Sequence, residues 1–179
     1  QARGARVTLV SGPTQLDAPQ GVKRIDIKSA DDMLSACRTA TVKPADVFIG
    51  AAAVADFRMK EVAPQKMKKT GDSDEMQLTL VKNPDVIATL SQAKAAKCMV
   101  GFAAETQDVI AYAKSKLERK GLDLIIANDV SRTDIGFNND ENQVTVLSKD
   151  QQWTPPKEAK SALAIELVEL ITQYQSTQS

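Results

Sequence analysis

A chain of 179 residues, 42% hydrophobic and 26% charged, can form one compact domain with a sizeable core and is not expected to be disordered. Its 23 Lys and Arg balance 23 Asp and Glu, which removes any broad cationic attraction for nucleic acid, so an anion site has to be local. With no histidine, Ser/His/Asp and Cys/His nucleophile systems and His-containing zinc sites are excluded together.

No apolar run reaches the ~18 residues of a membrane span, and the opening "QARGARVTLV" has no signal-peptide pattern, so a cytoplasmic protein is expected. Residues 1–179 read as a single domain. Cys37 and Cys98 lie in apolar helical and strand-like contexts and read as buried, reduced thiols.

In chain order, "ARVTLVSGPT" predicts a strand ending in a Gly-Pro turn, and "VKRIDI" a second strand. Ser29 caps an expected helix with Asp31 and Asp32 in its first turn and Met33, Ala36, Cys37 and Ala40 at helical spacing. "ADVFIGAAAVAD" is a near-continuous apolar run, which suits a central parallel strand buried on both faces. Residues 58–75 are polar and long, and read as a mobile flap.

"MQLTLVKNPD" predicts a strand stopping at Asn83, a candidate helix N-cap, with Pro84 at the first helical position. "CMVGFAAE" follows as a strand, 107–120 as a helix closed by Gly121, and "LDLIIAND" as a further buried strand. "NQVTVLS" is a late strand, and a last helix from about 157 presents Leu163, Leu167, Leu170, Ile171 and Tyr174 on one face. This alternation predicts an α/β fold: a Rossmann-like open, mostly parallel sheet flanked by helices. The Gly-rich βα opening of such folds has no counterpart here, so the first βα unit is expected to be absent.

Ligands of open α/β sheets sit beyond the carboxyl ends of the strands. "GAAAVAD", "VKNPD", "GFAAE" and "IIAND" all put small, amide-bearing or acidic residues at such ends. Each alone is explained by close packing and capping, but four together point to a ligand. Asp56 could serve an amino group, a ribose or a magnesium ion, or be a turn residue. Lys66, Lys68 and Lys69 suit a triphosphate, although a solvated charge run is the commoner account. Lys116 and Lys120 share a helix face, yet lie late in their helix, away from the strand end where a ligand is expected.

The ordered set "IGAAAVADFRMKEVAPQKMKK", "LVKNPDVIATL", "VGFAAET", "YAKSKLERKGLDLIIANDV" and "GFNNDENQVTVL" closely resembles phosphopantothenoylcysteine synthetase over nearly the whole chain. The likeness is to the bacterial form, usually fused behind a flavin-dependent decarboxylase. The resemblance implies a ligase of coenzyme A biosynthesis that uses CTP to activate phosphopantothenate as an acyl-cytidylate, then couples cysteine and releases CMP and pyrophosphate. It implies nucleotide contacts from Gly50, Ala51, Ala52, Asp56, Lys66, Lys82, Asn83, Pro84, Asp85, Phe102, Lys116 and Lys120. Lys66 becomes the catalytic lysine, and Ala52, Ala53, Lys68 and Lys69 contact the substrate.

It further implies Mg²⁺ with the CTP, FMN only in the decarboxylase half, a basic flap over the site, and a homodimer with neither nucleic acid nor membrane as partner. The family's glycine-rich N-terminal segments have no counterpart in these residues, so the chain is expected to make little product alone. The competing readings are a noncatalytic nucleotide-binding or dimerisation fragment and a nicotinamide-dependent Rossmann oxidoreductase. The oxidoreductase would need a glycine fingerprint and usually a catalytic tyrosine, whereas Tyr112 and Tyr174 are expected on helical core faces.

Overall fold

The computed structural model describes residues 1–62, 65, 76–132, 134 and 139–178. They fall into two compact units, one of Gln1–Ala36 with Ala53–Val86 and one of Cys37–Ala52 with Ile87–Ser179. The second unit carries the main sheet.

That sheet has five strands in the order β10 (Gln152–Trp153), β9 (Val144–Leu147), β7 (Leu124–Asp129), β6 (Ala96–Glu105), β3 (Ala45–Gly50). β3, β6 and β7 run parallel, while β9 and β10 add antiparallel at one edge. One face is closed by α4 (Lys160–Thr177), whose Leu163, Leu167 and Ile171 recur every four residues. They pack on Cys98, Val100, Leu124, Ile126, Val144 and Val146. Leu170 and Tyr174 complete this face as expected, and Tyr174 meets Trp153 edge-on with ring centroids 6.5 Å apart.

The other face is met by α3 (Val109–Lys120), which buries Ala113 and Leu117. Gly121 ends α3 in the left-handed region at φ 62°, its N–H donating to the Leu117 and Glu118 carbonyls. The Asp123 carboxylate accepts the Met99 N–H at 2.7 Å, and the Asp123 N–H returns to the Met99 carbonyl at 2.9 Å, locking β7 to β6. Both cysteines are buried free thiols, as expected.

In the first unit, β1 (Thr8–Ser11) and β2 (Lys23–Asp26) pair parallel, and β4 (Phe57–Met59) and β5 (Leu80–Lys82) pair antiparallel. Helix α1 (Ala30–Ala40) starts here and ends in the second unit. Its N-terminus is a reciprocal capping box: Ser29 Oγ accepts the Asp32 N–H at 3.1 Å and Asp32 Oδ2 accepts the Ser29 N–H at 3.0 Å.

Four expectations are corrected. β3 is an edge strand rather than a central one: among the described residues β6 is its sole partner, and Ile49 is 47% exposed. The run after it is no strand, because pairing stops at Gly50 and Ala51–Ala53 are exposed loop. Helix α2 (Val86–Gln92) begins three residues after Asn83, so Asn83 is not its N-cap and Pro84 is not in its first turn. Tyr112 is 51% exposed, because α3 turns the Ala113–Leu117 line inward and Tyr112 lies off it. Within the segment expected as a flap, Arg58 and Met59 belong to β4 and the Lys60 N–H donates to the Thr79 carbonyl at 2.9 Å, while most of the rest lies outside the described residues.

Candidate functional site

In the second unit the site is built on the stagger between β3 and β6. The two strands stay in register up to Gly50 opposite Gly101. β6 then runs on through Phe102, Ala103, Ala104 and Glu105, paired with β7 as far as Glu105 opposite Asp129. Among the described residues no strand pairs with 102–105 on the β3 side, so the carboxyl end of β6 forms a shelf with a free backbone edge. Such an edge offers N–H and C=O groups to a ligand.

Side chains alternate along this shelf. Phe102 shares its face with the core residue Val100, and at 40% exposure leaves an aromatic surface to be stacked upon. Ala103 and Glu105 face the opposite way, toward α3. There the Lys116 ammonium lies 2.5 Å from Glu105 Oε1. Lys116 sits roughly 10 Å along the α3 axis from Val109 at 1.5 Å per residue. Helical side chains point back toward the N-terminus, so a lysine two turns up still reaches the strand end. The objection raised by its position in the sequence is thereby removed for Lys116. Lys120 lies one turn further along, at the C-terminus of α3.

Gly50 is closely approached by a neighbouring side chain, a packing role that leaves its backbone available to a ligand. A Cβ there would stand 2.7 Å from Ile87 Cδ1, and one on Gly101 would stand 2.6 Å from Leu122 Cδ1. The bare Cα atoms are thus already occupied by core side chains. Ala51 and Ala52, just beyond, are exposed and leave the loop backbone open.

The first unit holds Ala53, Asp56, Lys82, Asn83, Pro84 and Asp85. Asn83 is the organiser of this group. Its amide nitrogen donates to the Ala55 carbonyl at 2.7 Å, its Oδ1 accepts from Arg58 Nη1 at 3.1 Å, and its N–H donates to the Asp56 carbonyl at 2.8 Å. Arg58 also donates to the Lys82 carbonyl at 3.0 Å and pairs with Asp31 at 3.4 Å. "VADFR" and "VKN", distant in sequence, are therefore clamped side by side. With its side chain committed to the clamp, Asn83 holds Asp56 and Lys82 in place. Lys66, Lys68 and Lys69, like most of the expected flap and the "GFN" of the last motif, lie outside the described residues.

Reasoning from residue types missed Glu105 and Arg58. Each sat inside a recognised motif without a role. An acidic residue closing the apolar run Cys98–Ala104 was the available signal for Glu105; nothing local marks Arg58, whose hydrogen-bond partners are 24 and 25 residues away. A shallow concavity of about 420 Å³ lies at the other end of β6, lined in part by Ala96, Lys97, Met99 and Asp123. It shares no residue with the shelf. No helix among the described residues is long and apolar enough to cross a membrane.

Comparison with known proteins bears directly on these motifs. The chain is 48% identical over 169 residues to the coenzyme A biosynthesis bifunctional protein CoaBC of Vibrio vulnificus, covering 94% of this chain and 42% of that one. It is 46% identical over 175 residues to CoaBC of Escherichia coli K12, covering 96% and 43%. It thus spans less than half the length of these curated relatives. Among solved structures, the C-terminal domain of a CoaBC superposes with a TM-score of 0.78 at 34% identity, covering 98% of this chain and 79% of that one. A Cab2 variant in complex with phosphopantothenate-cysteine shares the fold, with a TM-score of 0.63 at 18% identity over 89% of this chain and 56% of that one. The family model for the DNA/pantothenate metabolism flavoprotein C-terminal domain matches residues 1–174, which takes in both the β6 shelf and the Asn83 clamp, and the chain belongs to that family.

Proposed function

We propose that this chain is the ligase part of a phosphopantothenate–cysteine synthetase, joining the carboxylate of phosphopantothenate to the amine of cysteine at the expense of CTP. The observation that supports this reading is the β6 shelf, where a free strand edge at the carboxyl end of a sheet is flanked by an aromatic surface on one face and a lysine ammonium on the other. That is where ligands of open α/β sheets bind.

The chemistry suits a chain without histidine. A carboxylate with a pKa near ~4 is already ionised at neutral pH and needs no base to attack the α-phosphorus of CTP. The P–O bond to pyrophosphate breaks as the acyl–phosphate bond forms. The cysteine amine then attacks the acyl carbon, and CMP leaves with the electron pair. Both anions must be brought together, so cations are the main requirement. In this reading Lys66 stabilises charge on the α-phosphate and the leaving pyrophosphate, while Lys68 and Lys69 attract phosphopantothenate.

Asp56, Lys82, Pro84 and Asp85 contact the nucleotide from the clamped segments, with Asn83 through its backbone. Gly50, Ala51 and Ala52 contribute backbone, Ala52 and Ala53 border the acyl substrate, and Phe102, Lys116 and Lys120 complete the nucleotide site. Magnesium in this reading enters with the nucleotide phosphates as part of the substrate. A homodimer in the cytoplasm, linked in the natural protein to a flavin-dependent decarboxylase, completes the proposal.

The test is to incubate the chain with phosphopantothenate, cysteine and magnesium with either CTP or ATP, following CMP, pyrophosphate and the amide product by mass spectrometry, with nucleotide binding measured by calorimetry. Tighter binding of CTP than of ATP is expected, with CTP-dependent amide formation that is slight for the chain alone and full once the preceding segment of the synthetase is joined to it. CTP binding without turnover would make the chain a binding module, and tighter binding of NADH than of CTP would overturn the ligase reading.

A further inference from the structure

The Glu105–Lys116 pair is unusual for its place. Glu105 is 16% exposed and Lys116 33%, so both charges are largely withdrawn from water at the end of a strand that is apolar from Cys98 to Ala104. Among the described residues the covered Glu105 Oε1 takes no well-directed hydrogen bond, and the ammonium 2.5 Å away meets its charge as an ion pair. Burying two charges is costly, and replacing such a pair by apolar residues is often neutral or stabilising. Its presence at a strand end therefore calls for a reason other than stability.

We propose that Glu105 is a positioning residue for nucleotide binding: it holds the Lys116 ammonium against the β6 shelf as a directed hydrogen-bond donor. This rests on the reading above, in which Lys116 contacts the nucleotide. Lysine has a flexible four-carbon stem, and fixing it costs rotamer entropy, which the ion pair meets before the ligand arrives. The pairing also sets what Lys116 can recognise. A carboxylate beside the ammonium cancels most of its field at a distance but leaves its other N–H groups free to donate. A nearly neutral donor suits an uncharged acceptor, such as a base carbonyl or a ribose oxygen, rather than a triphosphate.

Two forces act in opposite directions when Glu105 is neutralised, which makes the test decisive. Removing a negative charge strengthens attraction for the phosphates, and more so for CTP than for CMP. Releasing Lys116 weakens the contact equally for both. The experiment is calorimetric titration of the 179-residue chain with CTP and with CMP, for wild type, Glu105→Gln, Glu105→Asp, Lys116→Gln and the Glu105→Gln/Lys116→Gln double variant, with circular dichroism and melting curves for each.

Glu105→Gln is expected to weaken CMP by about tenfold, which is ~1.4 kcal/mol, and CTP by somewhat less. Glu105→Asp should lose less, since the charge stays and only its reach shortens. The double variant should bind no more weakly than Lys116→Gln alone, a non-additivity that a general loss of structure would not produce. If wild type binds but Glu105→Gln binds equally well or better, the positioning role is overturned while the nucleotide site stands. Additive losses, or a loss confined to CTP, overturn it too. Should Glu105→Gln not fold, Glu105→Asp compared with Lys116→Gln decides the matter in the same way. Failure of the wild type to bind any nucleotide overturns the functional reading, and this inference with it.

Discussion

The two units of the chain divide the work of being a protein unequally. The largest fully buried side chains, Leu90, Val100, Leu124, Ile125, Ile126, Val146 and Leu147, all belong to the unit built on β3, β6, β7, β9 and β10. Among the described residues of the other unit, Met33 and Val86 alone are buried apolar side chains, while Leu16, Phe57, Met76, Leu78 and Leu80 are more than half exposed. Its strands pair two by two, and isolated two-stranded ribbons are marginal in water. Yet its sequence holds Asp56, Lys66, Lys68, Lys69 and Lys82. A chain can keep its stability in one place and much of its proposed chemistry in another, because catalysis needs charges near a ligand and cores exclude them.

This division would break first under a core truncation. Ile126→Ala removes a side chain that is 1% exposed between the sheet and α4, and should cost about 4 kcal/mol of stability, with a matching fall in the urea midpoint. Phe57→Ala, at a position 57% exposed on β4, should cost well under half of that. Equal losses would show that the ribbon unit shares the core's cooperativity.

The opposite signature is expected at Lys66. In the complete enzyme, Lys66→Gln should slow acyl-cytidylate formation by about a hundredfold, roughly 3 kcal/mol of transition-state stabilisation, with little change in melting temperature or in CTP affinity. A single-turnover reaction without cysteine, following radiolabelled CTP into the intermediate, measures it. Normal formation of the intermediate, with failure only on adding cysteine, would move Lys66 to the second half-reaction. Lys68→Gln and Lys69→Gln should each cost less.

Asn83→Ala tests how far fold and proposed chemistry are coupled within the ribbon unit itself. It deletes the exposed hydrogen bonds to the Ala55 carbonyl and from Arg58, at a cost of about 1 kcal/mol or less each. Because the strands it joins carry Asp56 and Lys82, CTP affinity should fall more than global stability does. A loss of stability with unchanged affinity would make the clamp purely structural.

The smallest effect is one of pH. Burial, with the Asp123 carboxylate as a lesser cause, pushes the Cys98 thiol up to about 11 from its ordinary 9.0. A folded value above the unfolded one costs nothing below about pH 9, and removes stability as pH climbs from there toward 11. Cys98→Ala should therefore show a shallower fall in urea midpoint across that window than wild type. Parallel slopes would mean that the thiol does not titrate with unfolding.

Much of this was readable from residue order. The four-residue recurrence of Leu163, Leu167 and Ile171, the Ser29–Asp32 cap and the Gly121 stop are local patterns acting within a few residues, and each forms where its sequence indicates. Asn83 shows where local reasoning fails. By type it is as good a helix cap as Ser29, but Ala55 and Arg58, 28 and 25 residues earlier, compete for its amide and win. The apolar run after Ile49 looked buried because composition reports what a segment could bury, not whether a neighbouring strand is present to cover it. Lys116 reverses the case: its place late in α3 argued against a site, until the tilt of a helical side chain and a carboxylate at the end of β6 brought its ammonium back to the shelf. The sequence by itself determined the elements, the core face of α4 and the family, because hydrophobic period, caps and ordered motifs are one-dimensional signals. Where β3 ends, what Asn83 holds and which charge faces Lys116 were decided only by the tertiary structure, because each depends on a partner brought close by the folding of a distant strand.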